Sequence, residues 1–138
     1  MKVTDARRII EAAKKQAETM DKAVSIIVVN AAGIPILLEK NGEPAAFTSV
    51  VAEGKAAGSA FTGRDSVLNR TMAETNPVMV TAVTARLAGR FVPVQGAVVL
   101  RQAGLIVGAV GTSGATAEED EQISKAGAAA VNGGESLK

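Results

Sequence analysis

Apolar residues at Ala6, Ile9, Ile10, Ala13, Ala17 and Met20 recur at three- and four-residue intervals. Arg7, Arg8, Glu11, Lys14, Lys15 and Glu18 fill the gaps. That period predicts an amphipathic helix from Asp5 under a Thr4 cap. Its charged face reads as solvated, with Glu11 and Lys15 spaced as an i,i+4 pair. Residues 23–29 form an unbroken, β-branched apolar run, too short for a lone helix, and read as a buried strand. A turn at Asn30-Ala31-Ala32-Gly33 leads to a second strand over 34–40, where Pro35 suggests an edge or a bulge. Asn41-Gly42 turns the chain again.

Thr48 or Ser49 can cap a helix reaching Phe61. Gly54 and Gly58 lie on one face of it, although glycine inside a helix costs about 1 kcal/mol against alanine. A close neighbour on the bare backbone is therefore expected. Asp65-Ser66 opens a helical turn through Met72. Asn76-Pro77 pairs a capping residue with proline at the first helical position and predicts a helix to Leu87, ending near Gly89. Residues 91–94, 97–101 and 105–110 read as three more strands, the last two joined at Gln102-Ala103-Gly104. Thr116 and Glu119 fit a capping box before a helix over 117–131, with Asn132-Gly133-Gly134 closing it and a frayed tail beyond. Strands grouped in hairpins predict an α+β fold, a five-stranded antiparallel sheet flanked by helices, in one domain over 1–138.

Composition narrows the chemistry. The chain has no Cys, His, Trp or Tyr, and its three aromatics are Phe47, Phe61 and Phe91. Thiolate chemistry, histidine general bases and Cys or His metal sites are excluded, and an aromatic stacking platform for bases is nearly so. With 47% hydrophobic residues and 2% aromatic, the core must be aliphatic. Lys and Arg total 15 against 14 Asp and Glu, so 15 − 14 = +1, which is no footprint for nucleic acid. No apolar run reaches membrane-span length and no apolar leader opens the chain, so no membrane partner and a cytoplasmic location are expected.

Gly108, Gly111 and Gly114 form G-x-x-G-x-x-G at a strand-to-helix junction. The spacing is neither the dinucleotide fingerprint nor a P-loop. Glu118, Glu119, Asp120 and Glu121 crowd the next helical turn and would repel phosphate, so a tight turn is the better reading. Lys55 sits among Gly and Ala; against an apolar surface it could serve as a Schiff-base amine or an anion anchor. Composition alone favours an ordinary surface lysine. No metal cluster is visible, and Met20, Met72 and Met79 read as core filler.

The segment 98–127, VVLRQAGLIVGAVGTSGATAEEDEQISKAG, resembles the C-terminal signature of the GlcG/HbpS family: a hairpin, a G-A-x-G-x-S-G run, an acidic turn and a helix with A-G. SIIVVNAAGIPILLEKNGEP resembles that family's first hairpin, and Gly54-Lys55-Ala56 its helical Lys-Ala. The resemblance covers nearly the whole chain. It implies a profilin-like sheet and a homo-oligomer, from dimer to octamer. It also implies a small-molecule ligand; relatives include haem-binding sensor partners, domains of PduO-type adenosyltransferases and cofactor-free enamine deaminases. In a shared pocket, Lys55 or Arg64 would hold a carboxylate, Gly111, Ser113 and Gly114 would line the ligand, and Asp120 or Glu39 would move a proton. Asn30 stands where the family commonly has Asp, and Gly96-Ala97 where it has a Gly pair. No cofactor is expected; haem is the weakest option, because a His-ligated haem cannot form without His.

Overall fold

The structure is a computed structural model that describes residues 1–132. Helix α1 (Val3–Thr19) is followed by strands β1 (Val24–Asn30) and β2 (Pro35–Asn41). Helices α2 (Thr48–Thr62), α3 (Ser66–Thr75) and α4 (Pro77–Arg86) come next. Strands β3 (Ala97–Gln102) and β4 (Leu105–Ser113) precede helix α5 (Ala117–Ala129). The sheet is antiparallel throughout, in the order β2-β1-β4-β3.

Period-two alternation on β1 divides the core. Val24, Ile26 and Val28 face α1 and α5, packing with Ile9, Ile10, Ala13 and Ile123. Ile27 and Val29 face α2, packing with Ala52 and Ala56. The central strand is thus apolar on both faces, as its unbroken run requires. Short side chains let α2 lie close: a Cβ on Gly111 of β4 would come within 2.5 Å of the Ala52 carbonyl.

The sheet has four strands, and the fifth expected strand, at 91–94, is not part of it. That segment instead crosses the glycine face of α2. A Cβ on Gly54 would overlap Val92, and one on Gly58 would lie 2.8 Å from the Phe91 ring. Val92 donates its amide to the Gly54 carbonyl at 3.1 Å rather than to a ladder, and Pro93 has no amide to give. One packing event explains both the helical glycines and the missing strand.

Helix ends differ modestly from expectation. Helix α1 starts at Val3, with Asp5 accepting from the Lys2 amide, so Thr4 is not its cap. Asn76 and Thr116 act as caps where the sequence places them. Lys14 pairs with Glu39 across to β2, and no ion pair joins Glu11 to Lys15 among the described residues. Met79 is exposed on α4 rather than filling the core. Helix α5 ends at Ala129, and the Gly133-Gly134 stop and the tail lie outside the described residues. No helix among those described is long and apolar enough to cross a membrane.

Candidate functional site

A cavity of about 500 Å³ opens where the start of α2, the end of β4 and the start of α5 converge. That size is ordinary for a small-molecule pocket. Lys55, Ser113, Gly114 and Asp120 line it together with Thr48, Val51 and Val94.

Lys55 is not a surface lysine. It is 2% exposed, because the second turn of α2 is clamped against β4. Its ammonium donates to Asp120 Oδ2 at 3.0 Å and to the Thr112 carbonyl at 2.9 Å. An ammonium has three donors; the third has no partner among the described residues. Asp120, also 2% exposed, accepts from the Ala115 amide at 2.9 Å through Oδ1. Burial pushes its carboxyl above the ordinary value of 3.8, against the opposing pull of Lys55 and the Ala115 amide. Two charges this deep persist because each satisfies the other.

Gly96 makes the pair sterically feasible. A side chain there would stand 2.6 Å from Lys55 Nζ and 3.1 Å from Asp120 Cβ. Its φ of +143° lies where glycine is favoured. Its carbonyl accepts from Ser124 Oγ at 2.7 Å, and Ser124 also meets Thr112 Oγ1 at 2.8 Å, so the 94–96 segment is pinned to α5 and β4.

Ser113 is 6% exposed and lines the cavity, and its hydroxyl makes no hydrogen bond to another of the described residues. Thr48 is occupied, bonded to Ser25 Oγ at 2.9 Å and to the Ala45 carbonyl at 2.7 Å. The free polar capacity at the pocket is thus the Lys55 N–H and the Ser113 hydroxyl, beside the positive end of α5.

Three residues expected here lie elsewhere. Glu39 pairs in register with Ile26, whose side chain faces α1, so Glu39 lies on that face and meets Lys14 at 3.1 Å. Arg64 follows the far end of α2, past Gly63, and reaches Asn69 at 3.4 Å and Met72 at 3.3 Å. Gly111 is packed under α2 and does not line the cavity. Sequence reasoning missed the Thr112 carbonyl, Gly96, Phe47 and Val94. A backbone acceptor carries no side-chain signal, and a lone glycine or Phe has many readings.

Among the described residues, no group of three or more His, Cys, Asp or Glu could hold a metal ion. Fold and cavity together define a class: a helix-flanked antiparallel sheet with a Lys–Asp pair on the floor of a small pocket.

The family model described as haem degrading protein HbpS-like matches residues 1–129, and the chain belongs to the HbpS-like family. No curated protein matches it. Among solved structures it is similar to a PduOC–heme complex, with 22% identity over 96% of this chain and 95% of that one, at a TM-score of 0.85. Protein ORFY of Klebsiella pneumoniae shares 18% identity over 96% of this chain and 90% of its own, at 0.87. A double mutant of HbpS from Streptomyces reticuli shares 22% over 94% and 85%, at 0.81. At these identities the likeness establishes the fold.

Proposed function

We propose that the pocket binds a small carboxylate metabolite and processes it without a cofactor, by deamination of an enamine or imine, hydrolysis or isomerisation. The observation that carries this reading is the buried Lys55–Asp120 pair, with one ammonium donor and the nearby Ser113 hydroxyl unpartnered among the described residues. Lys55 anchors the carboxylate as a cation; Asp120 keeps it charged, which argues against a Schiff-base amine. Ser113 and the Gly114 amide donate to a second polar atom of the ligand. Asp120, whose carboxyl is held above its ordinary value by burial, is the group able to move a proton. The protein works in the cytoplasm as a homo-oligomer, between dimer and octamer.

Family membership raises haem as a ligand, and one solved relative is a heme complex. The pocket residues do not fit that group. The chain has no His, Cys or Tyr, and neither Met1, Met20, Met72 nor Met79 lines the cavity. Lys55, the one side-chain nitrogen lining it, is committed to Asp120 and Thr112. A pure binding role for the same pocket is the second reading, and turnover separates the two.

Ligand-observed NMR against small carboxylates and their neutral amides tests the binding. Acids should bind, amides should not, and Lys55→Met should abolish the preference. Ser113→Ala should weaken binding while leaving stability within about 0.5 kcal/mol, since no partner in the fold is lost. Ammonia release from an enamine acid, lost in Asp120→Asn, tests the chemistry. Absence of any acid binding to folded protein refutes the carboxylate reading; binding without turnover leaves only the binding role.

A further inference from the structure

The pocket inverts the usual order of a protein surface. Its floor is polar and buried: the charged pair Lys55 and Asp120, and Ser113. Its mouth is apolar and exposed: Phe47 is 65% and Val94 41% accessible, beside Pro44 and Ala45. Phe47 is doubly out of place. It occupies the N-cap of α2 and makes no side-chain capping hydrogen bond, the Thr48 and Val50 amides being taken by the Ala45 and Phe47 carbonyls. Nor does it serve the core, as Phe91 does. The ring thus serves neither a cap nor the core, and it stands at the mouth of the pocket.

Resting on the carboxylate reading above, we propose that the ligand is amphiphilic: its carboxylate lies on the floor at Lys55 and Ser113, and a short apolar tail leaves along Phe47 and Val94. A tail in that channel is sheltered by the ring, Val94 and Pro44, and each methylene it adds loses contact with water. Phe47 is then the residue that sets tail preference.

Titration calorimetry with straight-chain acids from acetate to hexanoate tests this on the wild type and Phe47→Ser. Phe47 is exposed and makes no capping hydrogen bond, so the variant removes no packed or bonded group and should fold about as well, which thermal unfolding verifies. Wild-type affinity should rise about threefold to fourfold per methylene over the first few carbons. In Phe47→Ser the rise per methylene should fall by half or more, with acetate affinity unchanged. A flat chain-length series, or an equal slope in the variant, overturns the amphiphile and leaves the carboxylate reading standing. Failure of every acid to bind overturns both. If Phe47→Ser changes the mass in light scattering and not the slope, the ring is a contact between copies and the proposal is refuted.

Discussion

Replacing Lys55 by methionine keeps the stem of the side chain and removes its charge, which isolates what the ammonium does. At 3.0 Å, an effective dielectric of about 20 gives a gross attraction of about 5.5 kcal/mol between Lys55 and Asp120. Removing one partner of a buried pair typically costs about 3–5 kcal/mol, because the other charge is left uncompensated. The variant should lose about that much near pH 7.5. Acid should relieve it. Asp120 already sits above 3.8 in the native state, and without Lys55 its carboxyl rises further. The native state then holds a proton that the unfolded chain releases, so stability is lost as pH rises from 3.8 through the folded pKa. Near pH 4 the loss should shrink to about 1–3 kcal/mol, the cost of leaving the Thr112 carbonyl unpaired. Adding Asp120→Asn, which retains an acceptor for the Ala115 amide, should remove the pH dependence of the Lys55→Met effect. The assay is urea unfolding followed by far-ultraviolet circular dichroism between pH 4 and 8, since the chain has no Trp or Tyr to report by fluorescence. A Lys55→Met loss that does not vary with pH would refute the reasoning.

Other expectations follow from the packing and the caps. Gly54→Ala should destabilise by about 1–3 kcal/mol although alanine is the better helix former, because its methyl overlaps Val92; Val92→Ala in the same chain should recover part of the loss in urea. Thr116→Ala should cost about 1 kcal/mol by loss of the α5 cap, read as a shift in urea midpoint with unchanged m. Glu119, lowered chiefly by its bond from the Thr116 amide, contributes stability above its ordinary 4.5 that is lost as pH falls through its folded pKa. Glu119→Gln should flatten that acid limb in a pH series of thermal unfolding.

Much of the fold was written in the pattern of residues. The unbroken run at β1 required apolar neighbours on both faces, and it has them in α1, α5 and α2. Asn76-Pro77 and Thr116 with Glu119 placed two helix starts, because capping is satisfied within four residues of chain. The glycine pair of α2 announced a close neighbour without naming it. The segment 91–94 has the composition of a strand, and nothing local distinguishes a ladder partner from a helix backbone; Val92 found the Gly54 carbonyl. Of the candidate site residues, Lys55, Ser113, Gly114 and Asp120 share one cavity, while Glu39 and Arg64 do not reach it.

The sequence by itself determined the helices, four of the five expected strands, the aliphatic core and the absence of histidine and thiol chemistry, because these follow from residue type and short-range spacing. Tertiary structure alone decided that Lys55 and Asp120, 65 residues apart, meet at 3.0 Å, and that the ammonium also reaches the Thr112 carbonyl at 2.9 Å. Charge burial is a property of surroundings: the same lysine on a helix not clamped to β4 would be solvated. The pocket exists because the small side chains of α2 and Gly96 let three elements converge, and no one segment of chain encodes that convergence.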